Sequence, residues 1–289
     1  MVTTTRREFF HLAGTSAAIL SLSGGLTAGA WSTTEEKKSL KKLTDKMSRL
    51  SLGMASYTFR KFDLDKTLEM TSRLNLKHIA FKSFHLALNS TIDEIKAVAA
   101  KVKAAGLDLY GCGVVYMKNE AEVNQAFDYA QAAGMRVIIG VPEHNLLALV
   151  NKKVQEYDIK LAIHNHGPVD ERYPSPESAY EKIKDLDPRM GLCIDIGHTQ
   201  RIGIDPAEDA EKYADRLHDI HIKDVSAAAK EGTTVEIGRG VIDIPKFLQT
   251  LLKIKYQGIV SLEYEKDETD PLPGSAESIG YVRGVLSVI

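Results

Sequence analysis

The chain has 289 residues and nearly balanced charge, with 37 lysines and arginines against 39 aspartates and glutamates. This balance argues against a nucleic-acid partner, because phosphate recognition depends on a clustered excess of positive charge. The length suits one large α/β domain or two small ones, and the 44% apolar content is ordinary for a globular protein.

Residues 1–30 resemble a twin-arginine export signal. Arg6 and Arg7 precede a weakly hydrophobic stretch rich in glycine, alanine and serine, and this stretch ends in an A-G-A cleavage pattern at residues 28–30. Its glycines and polar residues make it a poor permanent membrane span, so we expect no stable membrane insertion after cleavage. We predict a periplasmic or otherwise extracytoplasmic protein, with residues 31–50 as a linker or short helix. The alternative is a tail with a chance arginine pair.

Residues 51–289 repeat one unit, which is a short apolar run rich in β-forming residues, a turn and an amphipathic helix. The predicted strands are residues 52–57, 77–81, 107–115, 135–141, 159–165, 190–196, 217–222 and 257–263. The clearest predicted helices are residues 92–105, 120–133 and 206–216. Gly106 and Gly134 follow two of these helices, as C-cap glycines should. Eight β/α units predict a single (β/α)₈ TIM barrel, with a doubly wound open sheet as the alternative.

The two cysteines, Cys112 and Cys193, fall in predicted strands on opposite sides of this barrel. At that separation a disulfide bond is impossible, because the two Cα atoms of a disulfide lie within about 7 Å of each other. We expect both to be buried free thiols.

Four later strands alternate large aliphatic residues with other residues, as in L-A-I-H at 161–164 and L-C-I-D at 192–195. Successive side chains of a strand point to opposite faces. If the aliphatic residues face the helices, these ionisable residues point into the barrel, near the strand ends where TIM barrels carry their chemistry: His164, Asp195, His221, Lys223 and Glu263. Buried charges need partners, so a shared divalent cation is the simplest way to satisfy them.

Four segments resemble the sugar phosphate isomerase/epimerase group of xylose isomerase-like TIM barrels. They are I-H-N-H-G at 163–167, C-I-D-I-G-H at 193–198, H-I-K-D at 221–224 and S-L-E-Y-E at 261–265. In that group one cation is held by side chains on strands five to eight. The resemblance implies that Asp195, His221 and Glu263 are metal ligands. It also implies a sugar isomerase, epimerase or lyase that acts through an enediolate on a small-molecule sugar or glycoside.

The fourth ligand position departs from this group, because His164 stands where many members have a glutamate. Imidazole suits Mn²⁺ and Zn²⁺ whereas Mg²⁺ prefers oxygen ligands, so we expect one divalent cation and favour Mn²⁺ or Zn²⁺. His166 is the alternative fourth ligand. Ketose epimerases of the group use two metal-bound glutamates as opposed acid and base, and only Glu263 of that pair remains here. Either a histidine replaces the second proton carrier, or the reaction is a lyase or dehydratase reaction on a keto sugar or keto-glycoside.

The predicted catalytic residues are Glu263, His166 and Lys223, with Lys223 placed to stabilise an enediolate oxygen. For Lys223 the alternative is a salt bridge with Asp224.

Three further residues are predicted to bind substrate, namely His198, Glu143 after the fourth strand, and Arg239 in the G-R-G after the seventh. The alternative is a structural role for His198, a solvated loop charge for Glu143 and an ordinary glycine turn for Arg239. His85, after the second strand, resembles Glu143 in its placement. We expect residues 264–267 to lie on a solvated rim.

Two other functions remain open. One is a non-catalytic sugar-binding barrel that kept the fold. The other is DNA repair like that of endonuclease IV, which needs additional ligands, including an Asp-x-His pair after the seventh strand. Residues 225–230, V-S-A-A-A-K, supply no such pair, and export with balanced charge also argues against DNA.

The export prediction can be tested by replacing both Arg6 and Arg7 with lysine. We expect the variant to accumulate unprocessed in the cytoplasm, because the twin-arginine pathway reads the arginine pair. Immunoblots of cell fractions and N-terminal sequencing provide the measurement. Normal processing of the variant, or a mature N-terminus far from Trp31, would contradict the prediction.

Overall fold

The computed structural model describes residues 50–289, so the predicted signal and nearly all of the predicted linker lie outside the described residues. The strands in residues 50–289 are β1 Ser51–Ala55, β2 His78–Phe81, β3 Asp108–Met117, β4 Val137–Pro142, β5 Lys160–His164, β6 Met190–Asp195, β7 Leu217–Ile222, β8 Asp224–Val225, β9 Thr234–Val235 and β10 Ile259–Leu262. The helices are α1 Leu64–Arg73, α2 Ile92–Ala104, α3 Glu120–Ala132, α4 Leu147–Tyr157, α5 Pro176–Ile183, α6 Ile196–Arg201, α7 Pro206–Lys212, α8 Ile244–Lys253 and α9 Pro271–Val288. Short 3₁₀ turns cover Ser56–Phe59, His144–Leu146 and Ala214–Arg216.

Eight parallel strands close into a barrel in the order β1-β10-β7-β6-β5-β4-β3-β2. The prediction of a single TIM barrel is therefore confirmed. The open-sheet alternative is wrong, because β1 pairs with β10 on one side and with β2 on the other. Strands β8 and β9 form a separate antiparallel ribbon in the connection that follows β7.

The predicted helices agree with the structure at their starts and differ at one end. Helices α2 and α3 end one residue before the predicted bounds, and Gly106 and Gly134 follow them with φ angles of 75° and 69°, which the absence of a Cβ permits. Helix α7 ends at Lys212 instead of continuing to Arg216. The turn that replaces its end lets the Arg216 guanidinium donate hydrogen bonds to four carbonyl oxygens. Three lie before β6, those of Lys184, Leu186 and Asp187, and the fourth is that of Met190, the first residue of β6.

Two hydrophobic clusters confirm the predicted alternation of side chains. The larger one contains the aliphatic residues of the later strands, such as Leu161, Ile194 and Ile220. A smaller one contains Ala162 and Cys193, which alternate with them, together with Ala80, Tyr110, Val137 and Ile139. The large aliphatic residues of the four later strands thus face the helices, and the alternate positions fill the barrel, where Val137 and Ile139 of β4 join them.

The two cysteines are buried and free, as predicted. Cys112 belongs to the larger cluster and Cys193 to the smaller one, so their side chains lie in different layers of the fold. No helix within residues 50–289 combines the length and apolar character that crossing a membrane requires.

Candidate active site

Four of the predicted side chains meet where the strands β5, β6, β7 and β10 end. His164 and Asp195 are the last residues of β5 and β6, His221 is the penultimate residue of β7, and Glu263 follows β10 directly. Each offers one ligand atom, and these atoms all lie within 4.8 Å of one another. All four residues are buried. The sequence-predicted ligand set is therefore brought together in space.

The distances within this cluster suit a small cation. His164 Nε2 lies 3.1 Å from His221 Nδ1 and 3.4 Å from Asp195 Oδ2, and His221 Nδ1 lies 3.3 Å from Glu263 Oε2. Four donors at about 2.1 Å from one tetrahedral centre lie about 3.4 Å from each other. The donor set, two imidazoles and two carboxylates, also matches what such ions bind.

Lys223 lies beside the same cluster and contacts three carboxylates. Its Nζ atom is 2.9 Å from Asp195 Oδ2, 2.7 Å from Glu263 Oε2 and 2.5 Å from Glu265 Oε1. One ammonium among three carboxylates leaves two negative charges uncompensated while the imidazoles are neutral. This excess favours a divalent cation at the cluster. The alternative salt bridge between Lys223 and Asp224 is not formed.

The pKa shifts follow from this arrangement. Burial would raise the pKa of Asp195 and Glu263, yet Lys223 and the nearby histidines hold both well below the usual range. Burial would lower the pKa of Lys223, but the three carboxylates keep it well above normal. Burial lowers the pKa of His164 far enough to keep its imidazole neutral, as a metal ligand must be. For His221, burial is outweighed by Glu263 and Asp219, so the pKa is raised. The cluster therefore attracts positive charge.

Gly197 links the segment D-I-G-H at 195–198 to the segment H-I-K-D at 221–224. A Cβ atom at Gly197 would lie 2.6 Å from both Cγ and Cδ of Lys223, closer than side chains can approach. The glycine therefore gives the lysine stem its path to the carboxylates of Asp195 and Glu263. The two segments therefore depend on each other, because Gly197 leaves the space that the Lys223 side chain occupies.

Asp195 has a second contact besides the cluster, because its Oδ1 atom accepts a hydrogen bond from His198 N at 2.8 Å and so caps helix α6. Asn165 ties the same region to β5. Its Oδ1 accepts from Asp195 N at 3.0 Å, and its Nδ2 donates to Thr199 Oγ1 at 3.1 Å. These bonds fix the angle at which Asp195 faces the other three side chains.

His166 and His198 both reach the site. The His166 ring stacks on Tyr116 with centroids 5.7 Å apart, and its Nε2 lies 3.1 Å from the Tyr116 hydroxyl. Its Nδ1 lies 3.2 Å from Asp170 Oδ2, so a carboxylate stands beside the ring on the side away from Tyr116. Burial lowers the pKa of both His166 and His198, so both imidazoles are neutral near pH 7.

A cavity of about 290 Å³ opens beside the cluster, at the lower end of the sizes that hold small ligands. It is lined by Tyr57, Lys82, Val114, Tyr116, His164, His166, His198, Glu263 and Glu265. Sequence reasoning placed the three histidines and Glu263 here but missed Lys82, Tyr57, Tyr116 and Glu265. Lys82 directly follows β2, so the rule that strand ends carry the chemistry would have found it.

The expectation of a solvated rim at residues 264–267 is wrong for the first two residues. Tyr264 is buried, and its hydroxyl donates to Glu236 at 2.9 Å. Glu265 lines the cavity and contacts Lys223. Glu265 has the same strand parity as Glu263, and it keeps that direction beyond the end of β10.

The structure does not bring Glu143 or Arg239 into this cavity. Glu143 forms an ion pair of 2.7 Å with Arg172 and lines a neighbouring cavity that shares Tyr116 and His166. Arg239 forms a bidentate ion pair with Glu277 on α9, with distances of 2.5 and 2.7 Å.

The turn that carries Arg239 is built around the buried Asp224 carboxylate. It accepts hydrogen bonds from the backbone N–H groups of Val225, Gly238, Gly240 and Ile242. A Cβ at Gly240 would lie 2.1 Å from Asp224 Oδ1, so this position has room for glycine only. The G-R-G segment therefore serves to fold the loop after β7.

Comparison with known proteins places the chain in a family. The sequence model described as xylose isomerase-like TIM barrel matches residues 60–285, and the chain belongs to this family. The rhizopine catabolism protein MocC of Rhizobium meliloti is 27% identical over 146 residues, or 45% of this chain and 44% of that protein. An inosose dehydratase of Geobacillus kaustophilus is 31% identical over 130 residues, or 39% of this chain and 41% of that one. The chain thus matches less than half the length of these two relatives.

Solved structures show the same fold across most of the chain. One from Parabacteroides distasonis, at 25% identity and a TM-score of 0.64, covers 82% of this chain and 99% of its own. The 3-keto-D-glucoside 4-epimerase of E. coli, at 13% identity and a TM-score of 0.63, covers 81% of this chain and 99% of its own. Other structures with this fold are those of an L-ribulose 3-epimerase, at 16% identity and a TM-score of 0.66, and of a probable 3-DHS dehydratase from Bacillus anthracis, at 12% identity and a TM-score of 0.63.

Replacing Gly197 with alanine tests the dependence of these two segments on each other. The new Cβ would displace Lys223 and leave buried carboxylates without their partner, which we expect to cost about 3 kcal/mol of unfolding free energy. Urea unfolding, monitored by circular dichroism, measures this change in the free energy of unfolding.

The matched control is Gly280→Ala in α9, where no atom lies within 4 Å of the added Cβ. This change should leave stability unaltered or raise it by up to about 1 kcal/mol. Equal stability of Gly197→Ala and the parent would show that Lys223 does not need this space.

Proposed function

We propose that this chain is a divalent-metal-dependent lyase for a keto sugar or keto-glycoside. It removes the proton on the carbon beside the carbonyl and expels the oxygen on the next carbon. The observation that carries this proposal is the uneven cavity. The four ligand side chains come from the consecutive strands β5, β6, β7 and β10, and the two carboxylates that line the cavity, Glu263 and Glu265, both follow β10. Strands β1 to β3 and the segments after them contribute Tyr57, Lys82, Val114 and Tyr116.

This unevenness separates the two reaction classes. An epimerase exchanges protons on both faces of one carbon, so it needs two proton carriers that flank that carbon. The cavity has no carboxylate in the half built from β1 to β4, within the part of the chain that the structure describes. An elimination needs one base for the carbon-bound proton and an acid for the departing oxygen, which this cavity can supply. A dehydratase among the relatives supports this choice.

His164, Asp195, His221 and Glu263 would hold the cation, for which two imidazoles favour Mn²⁺ or Zn²⁺ over Mg²⁺. When bound, the cation would supply Lewis-acid polarisation of the substrate carbonyl.

The surrounding side chains have separate tasks in this proposal. Glu263, kept ionised by His221 and Lys223, accepts the proton beside the carbonyl. Lys223 does not line this cavity, and from behind it holds Asp195 and Glu263 in their ionised form. His166 and His198 are neutral and line the cavity, so they can bind substrate hydroxyl groups as donors or acceptors.

An epimerase is the second candidate, and His166 favours it. Its ring lies at the cavity wall with Nε2 beside the Tyr116 hydroxyl, so it could carry the second proton that the missing glutamate would have carried. Export, which stays a prediction, would bring either enzyme to free sugars and glycosides outside the cytoplasm.

The metal proposal predicts that Asp195→Ala and Glu263→Ala each weaken cation binding by at least about 100-fold, since each removes a ligand from a set of four. Calorimetric titration of metal-free protein with Mn²⁺ and Zn²⁺, together with elemental analysis, gives the affinities. The matched control is Glu143→Gln, a carboxylate outside the cluster, which should bind as the parent does. Parental affinity in either alanine variant would refute the ligand set.

The reaction class is tested with a 3-keto-glucoside in heavy water. A lyase releases the aglycone and leaves an unsaturated ketone, which absorbs in the near ultraviolet. An epimerase leaves the glycoside intact and places deuterium at the inverted carbon. Mass spectrometry and absorbance distinguish these results. Deuterium in an intact glycoside would overturn the lyase proposal, and binding without turnover would favour a non-catalytic sugar-binding barrel.

A further inference from the structure

Lys82 lies in the half of the cavity that has no carboxylate. It is the first residue after β2, and in the barrel order β2 lies directly across from β6, whose last residue is Asp195. Its side chain lines the cavity together with Tyr57 and Tyr116. A sugar that contacts the ligand cluster with its carbonyl therefore has other substituents on the side of Lys82.

The contacts of Lys82 differ from those of Lys223. Its Nζ donates to the Val114 carbonyl oxygen and lies 5.7 Å from the centre of the Tyr116 ring, and it has no carboxylate partner among residues 50–289. An ammonium has three N–H donors, so two are left for a ligand. Burial lowers the pKa of Lys82, and Glu263 and Cys112 oppose this shift only in part. Lys82 thus gives up a proton more readily than Lys223, whose pKa lies well above normal.

A buried network holds Lys82 at this point. Its backbone N–H donates to Ser56 Oγ at 2.8 Å, and Ser56 Oγ lies 2.9 Å from His85 Nδ1. The other nitrogen of His85 lies 3.0 Å from Thr67 Oγ1 on α1. Ser56, Thr67 and His85 are all buried. Ser56 and His85 are therefore positioning residues that fix the end of β2 against β1 and α1.

We propose that Lys82 is the general acid that protonates the departing oxygen. This assignment rests on the proposed lyase function. In a 3-keto-glucoside, Glu263 takes the proton from C2, the C1–C2 double bond forms, and the bond between C1 and the glycosidic oxygen breaks. The oxygen leaves with a proton from the Lys82 ammonium, which gives an alcohol and an unsaturated ketone. Lys82 is left as a neutral amine and Glu263 as a carboxylic acid, and proton exchange with water restores both.

The test compares Lys82→Met on two 3-keto-glucosides that differ only in the leaving group. Methoxide is a strong base and must be protonated as it leaves, whereas 4-nitrophenolate departs without a proton. We expect kcat for the methyl glycoside to fall by about 10² to 10⁴-fold. For the 4-nitrophenyl glycoside the loss should stay below about 10-fold. Methanol release and 4-nitrophenolate absorbance are measured over a range of substrate concentrations, so that kcat and KM are separated.

Two further variants show whether a loss of turnover in Lys82→Met comes from the missing proton donor or from the missing positive charge. Lys82→Arg keeps the positive charge but cannot give up its proton, so it should be as slow as Lys82→Met with the methyl glycoside. Recovery of methyl glycoside turnover in Lys82→Arg would show that Lys82 acts through charge alone and would overturn the proposal. Lys77→Met changes an exposed lysine before the opposite end of β2 and should match the parent on both substrates.

The remaining outcomes separate the two proposals. An equal loss on both substrates in Lys82→Met would overturn the acid role and leave the lyase function standing. A parent enzyme that releases neither leaving group would overturn the lyase function and, with it, the role of Lys82.

Discussion

The candidate site depends on one buried ion-pair network, in which the Lys223 ammonium contacts Asp195, Glu263 and Glu265. Asp195 and Glu263 are buried, and taking such carboxylates away from water costs several kcal/mol per ion unless positive charge compensates them. Lys223 compensates part of this negative charge. Its Nζ atom contacts the carboxylates Asp195 and Glu263, whose other neighbours in the cluster are His164 and His221. The same lysine joins β6, β7 and β10 by a contact that the backbone ladder does not provide. Its path exists because residue 197 has no side chain.

Much of this could be predicted from the sequence, because strand parity is a strong constraint. Alternation of aliphatic and polar residues placed His164, Asp195, His221 and Glu263 inside the barrel, and parallel strands bring such ends to one rim. The eight predicted strands all overlap observed strands, and the helix ends deviate by one residue at α2 and α3. The alternation of side chains along a strand and the closure of eight strands into a barrel do not depend on loop conformation, and this is why both were predictable.

The features that could not be predicted depend on the conformation of loops. Arg239 lies in a glycine-flanked segment that suggested an anion-binding site. Instead, the Asp224 carboxylate accepts hydrogen bonds from the backbone N–H groups of Gly238 and Gly240 and so fixes the fold of that segment. The guanidinium is then paired with Glu277 on α9. Helix α7 was predicted too long because its periodicity continues to Arg216, which tertiary hydrogen bonds place in a turn. Both of these errors arose where a side chain binds backbone groups outside its own element. Such contacts leave no periodic signal.

The presence of histidine at position 164, where the resemblance implies a glutamate, affects the electrostatics of the site as well as its donor set. A glutamate there would add a fourth negative charge to a cluster that one lysine already compensates only in part. The imidazole keeps a donor atom for a cation without that charge. Its neighbours have distinct roles, since Asn165 braces Asp195 and His166 stacks on Tyr116. Three consecutive residues thus contribute a ligand, a brace and a cavity wall.

Asp195 shares its two carboxylate oxygens between the ligand cluster and the N-terminus of α6. A cation that draws electron density from one oxygen weakens the other as a hydrogen-bond acceptor, and an Asp195 that turns towards the cation pulls on the first turn of the helix. Occupancy of the site and local order of α6 are therefore thermodynamically linked, and each must alter the other by the same free energy. Since α6 carries His198 into the cavity, a cation held by the cluster would also influence the shape of the cavity.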